Sequence, residues 1–130
     1  MKLLIANLML VLAFGGSTLV SAKQKQDVTV KINTEKAVNG GLKVRFASLV
    51  EDSRCPVDTN CVWAGNAKIT VRVTKNGRSK LLTLNSMERG VAPVFAGYRF
   101  KLTGLTPDPR SNIRINRNGY EATIEITKVK

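Results

Sequence analysis

The chain has 130 residues, with 21 Lys and Arg against 9 Asp and Glu, a net charge of +12, two cysteines and no histidine. That length holds one domain and leaves no room for a second core. The lack of histidine removes the commonest general base at neutral pH, the commonest transition-metal ligand, and every Ser-His or Cys-His nucleophile pair.

Residues 1–22 read as a secretory signal peptide. Met1-Lys2 is a short positive start, and residues 3–14 are apolar apart from Asn7. Gly15-Gly16-Ser17-Thr18 ends the run, and Val20-Ser21-Ala22 fits the small-residue cleavage rule. The apolar run of about a dozen residues is well short of the ~20 that a spanning helix needs, so no transmembrane segment is expected after cleavage. No cysteine stands at the cleavage site, which argues against a lipoprotein. The expected mature chain, residues 23–130, is exported to the periplasm or the cell exterior. Residues 1–22 hold a single charge, Lys2, so the mature part keeps 20 cations against 9 acids. Such a surplus favours anionic partners, although the cations are scattered rather than clustered.

The mature part alternates apolar and polar residues, the pattern of half-buried strands. Strands are expected over 27–33, with Val28, Val30 and Ile32 on one face, and over 42–50, with Leu42, Val44, Phe46, Ser48 and Val50 on one face. Asn39-Gly40-Gly41 is a turn signal between them. A third strand, 67–73, turns inward Ala67, Ile69, Val71 and Val73. Asn76-Gly77 tolerates positive φ and predicts a tight hairpin to a return strand over 79–84. Residues 86–93 read as a loop, and 98–102 alternates again. Gly104 and Thr106-Pro107-Asp108-Pro109 break that pattern. A short strand or irregular structure over 113–115, a turn at Asn118-Gly119 and a last strand over 120–129 complete about seven strands, the last with Tyr120, Ala122, Ile124 and Ile126 inward. The expected fold is all-β: a single small antiparallel sandwich or partly closed barrel with one disulfide.

One segment stands out: Ser53-Arg54-Cys55-Pro56-Val57-Asp58-Thr59-Asn60-Cys61-Val62-Trp63-Ala64-Gly65. In an exported chain an even, closely spaced pair predicts a Cys55–Cys61 disulfide. On the chain-entropy account so small a ring adds roughly 2 kcal/mol, and its main effect is local. The spacing is not Cys-x-x-Cys, so a structural bridge is preferred to a redox pair. Trp63 stands two residues after Cys61 and is expected to pack beside the bridge. Arg54, Pro56, Val57, Asp58 and Asn60 form the candidate interaction loop, because a constrained arc loses less entropy on binding.

Asp52-Ser53-Arg54-Cys55-Pro56, Cys61-Val62-Trp63-Ala64-Gly65 and the alternating strand that follows resemble an uncharacterised family of small exported bacterial β proteins. The resemblance is strongest over residues 42–73. A weaker echo lies in Leu102, Pro107-Asp108-Pro109 and Tyr120-Glu121-Ala122. The resemblance implies location and architecture and assigns no catalytic residue.

Other chemistry is poorly supplied. Asp52 and Asp58 with Asn60 fall short of the six to eight oxygens of a calcium site, and Arg54 stands beside them. Glu51-Asp52 cannot flank one glycosidic bond if adjacent strand residues point to opposite faces. No phosphate-cradling glycine loop is present. The few aromatics, Phe46, Trp63, Phe95, Tyr98, Phe100 and Tyr120, mostly fall on apolar strand faces, so specific nucleic-acid binding is not expected. No catalytic residue, cofactor or metal is expected. The leading reading is an exported non-enzymatic binding domain of unidentified ligand, an unknown protein or an acidic envelope polymer, using the Cys55–Cys61 loop. The alternatives are a cationic protein held on an acidic envelope polymer, a protease inhibitor inserting Arg54 or Val57, and an enzyme of unrecognised type.

Overall fold

A computed structural model describes Gly15, residues 24–87 and residues 92–129. The expected leader therefore lies outside the described residues, apart from Gly15, and so does part of the expected 86–93 loop. Among the described residues, eight strands follow in order: β1 (Lys25–Lys31), β2 (Glu35–Val38), β3 (Leu42–Asp52), β4 (Ala67–Lys75), β5 (Arg78–Asn85), β6 (Val94–Phe95), β7 (Tyr98–Thr106) and β8 (Glu121–Lys128). They form two four-stranded antiparallel sheets, ordered β1-β8-β7-β6 and β2-β3-β4-β5. The fold is an all-β sandwich. Among the described residues, no helix is long and apolar enough to cross a membrane.

Alternation builds the core. Val28, Val30, Leu42, Val44, Phe46, Ala67, Ile69, Val71 and Val73 meet Phe100, Leu102, Ala122, Ile124 and Ile126 in one buried cluster that draws on both sheets. Phe46 and Phe100 are fully enclosed, and each such aromatic removes a large apolar area from water. Asn76, at φ 51, and Gly77, at φ 77, make the expected hairpin between β4 and β5. Lys36 on edge strand β2, and Arg78 and Lys80 on edge strand β5, are exposed charges that discourage pairing with another chain.

Three expectations need correction. Ser48 and Val50 do not share the core face of Phe46. The register slips once between Phe46 and Ser48 and again between Leu49 and Glu51, so β3 carries two bulges. Each extra residue reverses the alternation. Leu49 packs on the core and Val50 is exposed. Secondly, of the two readings of residues 113–115 the irregular one holds, and the strand does not form. Ile113 forms an isolated bridge to Arg110 and points to solvent, and the chain continues into a short 3-10 turn, Arg117–Gly119. Thirdly, β2 and β6 lie where no strand was expected, since four residues and two residues carry too little pattern to read.

Candidate functional site

The 14 residues between β3 and β4, 53–66, leave the sandwich as a pinned arm. Its base extends the β3–β4 ladder. The Ser53 amide donates to the Asn66 carbonyl at 2.8 Å, and the Cys55 amide donates to the Ala64 carbonyl at 3.0 Å. The Ser53 hydroxyl donates to the Asn66 carbonyl and accepts from the Asn66 amide. Gly65, at φ +71, makes this closeness possible: a Cβ there would overlap the Ser53 carbonyl oxygen. Beyond the base, Cys55 and Cys61 are joined by the expected disulfide.

Arg54 locks the arm to the other sheet. Its Nε donates to Asp52 Oδ1 at 2.7 Å and its Nη2 to Asp52 Oδ2 at 2.9 Å, a bidentate pair. Nη1 donates to the Leu105 carbonyl at 2.6 Å, and Nη2 also reaches the Pro107 carbonyl at 3.0 Å. The Tyr120 hydroxyl donates to Asp52 Oδ2 at 2.9 Å. The arm tip docks on the segment after β7. The Val57 amide donates to the Pro109 carbonyl, and Asp58 accepts from the Ser111 amide at 3.0 Å and the Ser111 hydroxyl at 2.6 Å.

This geometry redistributes the expected interaction loop. The Arg54 side chain is only 15% exposed and its guanidinium is engaged inside the molecule, so it is not an exposed contact. Asp58 is exposed but bound to Ser111. Val57 and Asn60 face solvent, and Pro56 is half-buried. Asp52 and Asp58 serve two separate networks. Among the described residues, no three His, Cys, Asp or Glu side chains gather as a metal site.

Trp63 is the main surprise. It does not pack as expected beside the bridge; it is 77% exposed, and its neighbour Val62 is 97% exposed. The chain bends at Val62 and Trp63, so the two-residue alternation of an extended strand does not apply there. The indole borders an open cleft of about 590 Å³, shared with Glu51, Asn66, Lys68, Asn85 and Met87. Asn66 is fixed as part of the cleft wall. Its Nδ2 donates to Asn85 Oδ1 at 2.9 Å, and its Oδ1 accepts from the Met87 amide at 3.0 Å. Glu51 therefore looks onto the cleft while Asp52 turns into the Arg54 network. Sequence reading found Trp63 but misplaced it, and it missed Asn66, Lys68, Asn85 and Met87, which only the strand register brings together.

The charges of the Arg54 network set a pH window. Burial by itself would raise the Asp52 carboxyl, yet the hydrogen bonds from Arg54 and Tyr120 hold it below its ordinary 3.8. Burial and donation to Asp52 push the Tyr120 hydroxyl up to about 12 from 10.0. A lowered acid stabilises the fold above its unfolded pKa, and that contribution is lost as pH falls through the folded value. A raised phenol stabilises below pH 10, and that contribution is lost as pH rises toward 12. Denaturant midpoints should thus fall below about pH 4 and above about pH 10. Tyr120→Phe should flatten part of the alkaline loss, since phenylalanine has no proton to release. An alkaline limb identical in the two proteins would show that Tyr120 carries none of it.

Comparisons of the chain with protein families, with curated proteins and with solved structures found no match.

Proposed function

We propose that the chain is an exported, non-enzymatic binding domain whose contact surface is the part of the 53–66 arm that carries Trp63, together with the cleft it borders. The observation that carries this reading is a solvated tryptophan held on a pinned backbone. Leaving an indole in water forgoes the burial free energy that such a side chain ordinarily supplies. Tryptophan is also the residue type most enriched among binding hot spots. The disulfide, the Gly65 turn and the Arg54 network hold the arm still, so little ordering entropy remains to be lost on contact. Export accords with the disulfide and with the leader-like pattern of residues 1–22. A protease-inhibitor reading through Arg54 has no support, since its guanidinium is already occupied.

The test is capture from the envelope of the producing cell, with the oxidised protein as bait. Trp63→Ala should abolish capture while shifting thermal stability by less than about 0.5 kcal/mol, the usual range for an exposed position. Undiminished capture by the variant would overturn the reading.

A further inference from the structure

The outer face of the β2-β3-β4-β5 sheet continues from the Trp63 cleft. The register sets its rows. Lys43 lies opposite Thr74, which lies opposite Ser79. Arg45 lies opposite Arg72, which lies opposite Leu81. Ser48, Thr70 and Thr83 make the next row, and Glu51, Lys68 and Asn85 the last. Lys68 and Asn85 are also cleft residues, so the strip and the cleft are one surface. From the Lys43 row to the Lys68 row the strip is roughly 20 Å long, at about 7 Å between successive residues on one strand face.

Two features of this strip leave its cations open to an anionic partner. Like charges directly opposite across a ladder repel, and Arg45 faces Arg72. In addition, Lys43, Arg45, Lys68 and Arg72 form no ion pair among the described residues. Glu35 stands opposite Arg45 and Glu51 opposite Lys68, yet neither closes to ion-pair distance. The charge is also uneven between the sheets. Strands β2 to β5 hold eight Lys and Arg against three acids, one of them Asp52, which Arg54 already neutralises. Strands β1, β6, β7 and β8 hold five against three.

We infer that this face binds an acidic glycan bearing carboxylates, with its acid groups on Arg45 and Arg72 and a sugar ring stacked on Trp63. The inference rests on the binding-domain reading and names its ligand. Two guanidinium forks match carboxylates in bidentate fashion. The next row adds hydroxyls on exposed Ser48 and Thr83 and on half-buried Thr70, which is hydrogen-bonded to Ser48, and these suit a hydroxyl-rich chain. At the cleft end, the electron-rich face of the indole meets the C–H face of a sugar ring, and Glu51 and Asn85 offer acceptors to its hydroxyls. Glu51 repels acid groups there, which sets the polarity of the bound chain. A nucleic acid fits less well, because single-strand binding sites offer successive aromatics for stacking and this surface presents one.

The test uses the oxidised protein expressed from its full sequence, with oligogalacturonate as probe and calorimetry as readout. Binding is expected at low salt, weakening as salt rises, with none to neutral dextran. Arg45→Gln with Arg72→Gln should weaken it by at least about tenfold, and so should Trp63→Ala. Lys31→Gln with Arg99→Gln removes the same charge from the outer face of the other sheet and should leave binding within about twofold. Equal loss in the two double variants would overturn the proposal, since general charge would then suffice. Tighter binding to single-stranded DNA than to oligogalacturonate would overturn it too. If the probe fails to bind while Trp63-dependent envelope capture persists, the glycan is wrong and the binding-domain reading stands. If that capture is also indifferent to Trp63, both fail.

Discussion

Arg54→Ala should destabilise the domain by about 3 kcal/mol, the scale of breaking a partly buried ion pair by removing one partner. The substitution strips Asp52 of its bidentate partner and leaves the Leu105 and Pro107 carbonyls without their donor. The Asp52 side chain is only 10% exposed, so water replaces the lost bonds poorly. For a domain of this size the melting temperature should fall by roughly 15 °C. Arg54→Lys keeps the charge but not the planar fork and should recover less than half of the loss. Far-UV circular dichroism is the right probe, because Trp63 is already solvated in the folded state and reports unfolding weakly. A loss under about 1 kcal/mol would place the pair in the range of ordinary surface salt bridges.

Gly65→Ala should cost a similar amount, about 3 kcal/mol, by a different route. The new Cβ would overlap the Ser53 carbonyl oxygen and approach the Arg54 Cα at 3.0 Å, both backbone atoms that cannot swing aside. It would also sit at φ +71, where a side chain is strained. Gly77→Ala is the control. It has φ +77 but nothing within 4 Å of its Cβ, so it should cost only about 1 kcal/mol. The difference between the two isolates the steric clash. Faster amide exchange at Cys55, whose amide bonds to Ala64 across the arm base, should accompany the Gly65 change. Equal losses at the two glycines would mean that the arm base spreads without penalty.

Much of the sandwich was legible because burial on one sheet face writes itself as period two. The strand that bears Ile69, Val71 and Val73 was found for that reason, and so was the closing strand of Ala122, Ile124 and Ile126. The reading failed where period two breaks. Bulges in β3 turned Leu49 inward and Val50 outward, and no residue type at 46–51 announces an extra residue. The candidate site was legible only in part. The disulfide follows from two cysteines and their spacing, a local property. The inward turn of Arg54 depends on carbonyls more than 50 positions away, and the cleft depends on which residues of β3, β4 and β5 stand side by side. Trp63 escapes the alternation rule because the chain bends at Val62 and Trp63, and a bend has no signature in those two residue types.

The bridge between Cys55 and Cys61 spans a sequence separation of 6, and no other cysteine exists in the chain. Short loops close quickly in an unordered chain, so the two thiols meet long before distant strands do. Within one molecule only a single pairing is open to them. Oxidation of this pair therefore needs neither a completed fold nor an isomerase to correct it. The ring can enter folding as a finished part, and the sandwich assembles around a tip whose shape is already decided.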